Sequence, residues 1–251
     1  MQFYLLASGS KGNCCVIENE DTKIVIDAGT TQKYILNRMK EIDLDKKSIS
    51  AVFITHTHRD HISAIKLFYD LPIYAEEDLH LNNQQFIAPY DEFDIGSFHI
   101  QCIRLSHDSP CMGYIIEDAK IKLVYITDTG YLKTEYYPRL QNADVYIFES
   151  NHDIGMLMQT KRPTYVKQRI MQDCGHLCNE DSAKHLCRMI GRNTRHIVLA
   201  HISEEGNSKQ QAEAVLRKTC SMNGVSLEGI NIQAAGQFEL VCGKCEGLVY
   251  D

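Results

Sequence analysis

Within seven residues, Thr55-His56-Thr57-His58-Arg59-Asp60-His61, the chain places three imidazoles and a carboxylate directly after the apolar run Ala51-Val52-Phe53-Ile54. So many nitrogen and oxygen donors at one strand end point to a metal site, because each is costly to bury without a partner. Histidines two apart can face the same side of an extended segment, so His56 and His58 can clasp one ion. Asp60 and His61 reach past it, to where a second ion could sit. A two-metal hydrolase is the enzyme class such a cluster predicts.

At 251 residues and 44% apolar content the chain can bury one large core, and no Gly/Ser/Pro-rich linker divides it. We expect one domain over residues 1–251. The first residues lack the charge flank and length of a secretory segment, and no apolar stretch reaches membrane-spanning length. A cytoplasmic protein without a membrane partner is expected, and its oligomeric state is left open. The ten cysteines are scattered through strand and helix patterns, so reduced thiols are expected rather than a disulfide framework. Cys242 and Cys245 have knuckle spacing without a second half, which leaves their role open. The formal charge of −7 argues against a broad basic surface. Two bound dications would bring it to −7 + 4 = −3, so nucleic acid is not excluded.

Alternation of apolar and polar residues predicts strands at 3–7, 14–18, 23–26, 51–54, 73–75, 98–105, 112–117, 122–127, 145–149, 196–200, 230–234 and 238–242. Helical periodicity predicts helices at 31–41, 63–69, 77–83, 165–173, 181–190 and 208–222. Strands in groups with helices between them suggest an α/β fold of two packed mixed sheets flanked by helices, a four-layer αβ/βα sandwich. His56, Asp128 and His201 each follow an apolar run, so their loops can converge on one rim.

His107, in Leu105-Ser106-His107-Asp108, completes the set of candidates. A first ion held by His56, His58 and His107, and a second held by Asp60, His61 and His201, would share Asp128 as a bridging carboxylate. Water between two such ions ionises near neutral pH and becomes a strong nucleophile. The isolated histidines His80, His99, His185 and His196 are read as ordinary core or surface residues.

The pattern His-x-His-x-Asp-His, followed by separate His, Asp and His, resembles the metallo-β-lactamase superfamily over residues 1–240. That resemblance makes Asp27, in Val25-Ile26-Asp27-Ala28-Gly29, the aspartate that supports the ligands. Members that hydrolyse β-lactams commonly carry cysteine where this chain has Asp128, and the flavodiiron branch carries glutamate in place of His58. The segments around Ser8-Gly9-Ser10-Lys11-Gly12-Asn13, Glu149-Ser150-Asn151-His152, Gly175-His176-Leu177-Cys178 and Ala200-His201-Ile202-Ser203 resemble the YycJ-type exonuclease and phosphodiesterase branch, related to tRNase Z and the cyclic-phosphate phosphodiesterases. The chain departs from that branch at Cys178 and in Glu204-Glu205-Gly206-Asn207, which leaves the metal residues intact.

The resemblance implies a dinuclear phosphodiesterase acting on DNA or RNA ends or on a small phosphodiester, with zinc, manganese or iron as the two divalent ions. Asp60 would assist as general base, and His176 would protonate the leaving oxygen. Glu149 or His152 would orient His176 or contact substrate. Ser8, Ser10 and Asn13 lie in a turn whose backbone N–H groups could cradle a phosphate. Lys161, Arg162, Lys167 and Arg169 are the one local basic concentration, and Tyr165 beside them could stack on a base. Only 20 residues separate His107 from Asp128, too few for a tRNA-gripping arm, and the 51 between Glu149 and His201 leave no room for a cap domain. A carboxylic ester or thiolester hydrolase of the glyoxalase II or lactonase type would use the same ligands. A regulatory protein stabilised by metal is the non-catalytic alternative.

Overall fold

A computed structural model describes residues 1–246. The first half contains β1 (Gln2–Ala7), β2 (Cys14–Glu18), β3 (Lys23–Ile26), α1 (Gln32–Glu41), β4 (Ala51–Phe53), α2 (Arg59–Ile62), β5 (Ile73–Ala75), β6 (Gln84–Phe86), β7 (Glu92–Ile95), β8 (Phe98–Leu105) and β9 (Cys111–Glu117). The second contains β10 (Lys122–Ile126), α3 (Tyr137–Leu140), β11 (Val145–Glu149), α4 (Ile154–Gln159), α5 (Thr164–Met171), α6 (Asn179–Met189), β12 (His196–Ala200), α7 (Lys209–Met222), β13 (Asn231–Ala234) and β14 (Val241–Lys244).

Two seven-stranded mixed sheets form, ordered β14-β1-β2-β3-β4-β5-β6 and β13-β12-β11-β10-β9-β8-β7. Strands β3 to β6 run parallel in the first, and β10 to β13 in the second. Period-2 alternation divides each strand between two apolar layers. In β11, Val145 and Ile147 join Phe3, Phe53 and Tyr114 between the sheets, while Tyr146 and Phe148 face the other way, toward Leu186 of α6 and Leu216 of α7. On the far side, Ile35 and Met39 of α1 cover Val25 and Val52. The expected four-layer sandwich is what forms.

Helix boundaries follow local capping. Thr31 accepts from the Tyr34 N–H at the start of α1, and Ser208 from the Gln211 N–H at the start of α7.

Two expected helices do not form. Over 63–69 only a 3₁₀ turn appears at Ile65–Phe68, because Ala64 N–H is drawn to the Ala28 carbonyl and Pro72 lies three residues beyond Tyr69. Over 77–83 the Gln84 side chain intervenes, accepting from Leu79 N–H and donating to the Glu77 carbonyl, while His80 turns left-handed at φ 57°. The chain there leads instead into β6, which with β7 was not expected. The last strand lies at Val241–Lys244, later than the expected 238–242, because Glu239 N–H closes a turn onto Gly236.

One glycine ties the fold to the histidine-rich loop. A Cβ on Gly29 would lie 1.8 Å from the Asp60 carbonyl oxygen and 2.5 Å from the Asn13 nitrogen. Overpacking of this kind costs about 1–3 kcal/mol. Gly29→Ala should therefore lower the unfolding free energy from urea titration by that amount, and an unchanged value would show that the Asp60 backbone can yield.

Candidate metal centre

Strands of both sheets end on the same rim. Asp27 follows β3, residues 55–61 follow β4, His107 follows β8, Asp128 follows β10, Glu149 ends β11 and His201 follows β12. Open α/β sheets commonly carry their ligands at this carboxyl end. Three of these residues turn the chain left-handed, Asp27 at φ 61°, Asp128 at φ 59° and His201 at φ 54°. Such a conformation costs a non-glycine residue on the order of 1–2 kcal/mol, least for Asp and its like, and here it recurs at two candidate ligands and at the aspartate beneath them.

The structure brings the candidate ligands together in the two groups read from their order. One ligand atom from each of His56, His58 and His107 lies within 4.8 Å of the others, as do those of Asp60, His61 and His201. His56 Nε2 is 3.0 Å from His58 Nδ1, and His107 Nε2 is 3.3 Å from the same atom. Asp128 reaches toward both groups: with His56 and His61 it forms a further cluster, and its Oδ2 lies 3.2 Å from His61 Nε2. Asp60 Oδ2 is 3.7 Å from that nitrogen.

Buried carboxylates set the orientation of the rings. Asp27 accepts from His61 Nδ1 at 2.7 Å and from both the N–H and hydroxyl of Thr55. Glu149 Oε1 accepts from His176 Nδ1 at 2.8 Å and from His201 Nδ1 at 2.9 Å, while Oε2 accepts from Thr129 N–H. With Nδ1 protonated in each ring, Nε2 is left to bind elsewhere. Of the two roles open to Glu149, its geometry supplies the orienting one.

Electrostatics favour a cation. Burial opposes charge on His201, yet Asp128 and Glu149 raise its pKa to about 9. Burial likewise opposes charge on His61, and Asp27 and Asp128 outweigh it, drawing the pKa well above the ordinary value. Burial raises Glu149, but His176 and His201 bring it down to about 2. His201 Nε2 and Asp128 Oδ2 are buried with no hydrogen-bond partner. Unpartnered lone pairs at the centre of such a cluster are what a divalent ion satisfies, by displacing protons from its ligands.

The N-terminal turn departs from the expected phosphate cradle. Five of its six N–H groups are spent inside the protein: Ser8 on the Gln237 carbonyl, Gly9 on Asn13 Oδ1, Lys11 on Gln237 Oε1, Gly12 on the Gly9 carbonyl and Asn13 on the Asp60 carbonyl. Ser8 and Asn13 are buried and support the ligands instead. Ser8 Oγ accepts from His201 N–H at 2.7 Å, and Asn13 Nδ2 lies 2.9 Å from His61 Nε2. Ser10 is exposed in the same turn. His152 is buried, and burial lowers its pKa to about 4; its backbone carbonyl accepts from Asn179 N–H.

Two supporting residues escaped the sequence reading. Asp108 Oδ1 lies 3.3 Å from His107 Nε2 and 3.4 Å from His58 Nε2. A carboxylate directly after a ligand histidine was the available signal. Asn151 Nδ2 donates to the His201 carbonyl; the Glu149–His152 segment that carries the resemblance contains it, but gave it no role.

A family profile described as the β-lactamase superfamily domain matches residues 22–202. The chain belongs to the β-lactamase superfamily. Within this superfamily it is 34% identical over 239 residues to exodeoxyribonuclease YycJ of Bacillus anthracis, spanning 89% of this chain and 90% of that one. It is 33% identical over 233 residues to exodeoxyribonuclease WalJ of Streptococcus pneumoniae, spanning 86% of each. Among solved structures, the metallo-β-lactamase fold protein YhfI of Bacillus subtilis shares the fold at a TM-score of 0.70 and 17% identity, over 96% of this chain and 99% of that one. Human tRNase Z, short form, does so at 0.66 and 17%, over 96% and 98%. Fold and donor set together mark a site for divalent metal ions in this superfamily member.

Asp27→Asn removes one of two carboxylate oxygens while Thr55 and His61 still require acceptors. Loss of such a supporting carboxylate weakens metal binding by about 10–100-fold. Competition with a chromogenic chelator at neutral pH should show that loss, and unchanged affinity would remove Asp27 from the centre's support.

Proposed function

We propose that this chain is a two-metal phosphodiesterase that removes nucleotides from DNA ends. The observation that carries the reading is the Glu149–His176 pair beside the ligand cluster, with His176 Nδ1 3.7 Å from Asp128 Oδ1. The names of the YycJ and WalJ relatives support the choice of DNA.

When bound, two divalent ions supply a water activated at neutral pH and neutralise charge on the phosphoryl oxygens. His56, His58 and His107 would hold one, Asp60, His61 and His201 the other, and Asp128 would contact both. Their mixture of imidazole and carboxylate suits zinc first, with manganese or iron admitted by the carboxylates. Asp60, partly exposed beside His61, takes up the proton of the attacking water. His176 gives a proton to the leaving oxygen from Nε2, while ionised Glu149 steadies the charged ring through Nδ1. Polynucleotide chemistry of this kind fits a cytoplasmic protein acting as one hydrolase unit.

A metal titration with bis(p-nitrophenyl) phosphate, a glutathione thiolester, and 5′- and 3′-labelled DNA and RNA tests the reading. Hydrolysis of the diester and of DNA ends is expected; thiolester cleavage without diesterase activity would overturn it in favour of a glyoxalase-type enzyme. His176→Ala should lower kcat by about 10²–10⁴-fold with metal content retained. Unchanged turnover would remove His176 from the mechanism, and no turnover of any of these substrates by the wild type would leave only a metal-stabilised regulatory role.

A further inference from the structure

Beside His176 lies a cavity of about 180 Å³, lined by His107, Asp108 and His176 together with Arg162, Val166 and Arg169. Pockets that enclose a whole drug-sized ligand measure about 300–1,000 Å³. This one has room for a phosphate group rather than a nucleoside. Its basic wall belongs to α5 and the turn before it, and that wall is fixed to the proposed proton donor. His176 N–H donates to the Ile170 carbonyl at 2.9 Å, and a Cβ on Gly175 would lie 2.3 Å from the Arg169 and Ile170 carbonyl oxygens. On its other side, Lys167 Nζ anchors the helix to the Met158 and Thr160 carbonyls.

Both arginines keep donors free. Arg169 meets Asp108 Oδ2 at 3.1 Å and Arg162 meets Glu205 Oε2 at 3.0 Å, each through one nitrogen of a five-donor fork. Arg169 remains 67% exposed. Tyr165, four residues before Arg169 and so on its side of the helix, is 72% exposed, an unusual position for an aromatic ring with no partner in the fold.

We propose that Arg162 and Arg169 form a subsite for the phosphate next to the scissile one, on the leaving-group side of a polynucleotide, and that Tyr165 stacks on the base attached to it. The assignment rests on the phosphodiesterase reading, which puts His176 at the leaving oxygen. The strand leaving that oxygen passes the cavity that His176 lines, where an anion meets two guanidinium forks. Stacking on Tyr165 would be sequence-tolerant, as an end-directed enzyme requires.

The test uses metal-loaded protein and DNA oligonucleotides that carry either normal phosphates or one uncharged methylphosphonate at the linkage beside the scissile bond. For the wild type, the neutral linkage should raise KM about ten-fold, the scale of one lost charge-assisted hydrogen bond. Arg169→Gln and Arg162→Gln should raise KM on the normal strand and shrink the methylphosphonate penalty to about two-fold or less. The slope of log kcat/KM against log salt should fall by about 1 for each arginine removed. Equal penalties in wild type and variants would overturn the subsite. So would an Arg169→Gln defect that lowers turnover on both strands alike, as expected if only Asp108 shifted against His58 and His107. Cleavage of bis(p-nitrophenyl) phosphate without cleavage of DNA would overturn the subsite and leave the hydrolase reading standing. No cleavage of either would overturn both.

Discussion

The carboxylate of Asp27 organises the rim of the first sheet. It is fully buried, and a buried carboxylate is tolerable only when its lone pairs are taken. Three donors take them: the N–H and hydroxyl of Thr55, and Nδ1 of His61. Asp27 N–H meanwhile donates to the Phe53 carbonyl, so the residue is fixed to β4 at both ends. Residues 55–61 must adopt their turn for this charge to be satisfied, and the turn aims the imidazoles. Asn13 N–H on the Asp60 carbonyl and Ala28 N–H on the His61 carbonyl close the loop from beneath.

Glu149 does comparable work in the second sheet, at the end of the fully buried strand β11. One of its oxygens serves two histidines with different tasks, a candidate metal ligand and a candidate proton donor. Metal retention and proton transfer are therefore linked through a single group. Substitution of Glu149 cannot separate them, whereas substitution of His176 can.

The strands at Cys14–Glu18, Lys23–Ile26, Ile73–Ala75, Phe98–Leu105, Val145–Glu149 and His196–Ala200 were legible in the sequence to the residue. Their apolar periodicity is strong, and Asp, Gly or Ser breaks it at the ends of several. The candidate ligands stood out because they sit just past apolar runs, at the ends of β4, β8, β10 and β12. What local pattern could not carry was a hydrogen bond from a distant partner. The Ala28 carbonyl unmade one expected helix, the Gln84 side chain another, and Gln237 closed the turn expected to hold phosphate. The basic segment at 161–169 was visible as charge, but its place beside His176 depends on how α5 packs.

Each ligand group draws from both sheets. His56 and His58 follow β4 while His107 follows β8; Asp60 and His61 meet His201 from β12. At this rim the sheets are otherwise joined by polar contacts such as Met112 N–H on the Thr55 carbonyl and Tyr114 hydroxyl on the Ile54 carbonyl. An ion held here acts as a cross-link that exists only in the assembled sandwich. Its free concentration then enters folding stability logarithmically, worth about 2.7 kcal/mol at a hundred times the dissociation constant. Metal supply would thus govern how much of the chain persists folded, independently of how fast any of it turns over substrate.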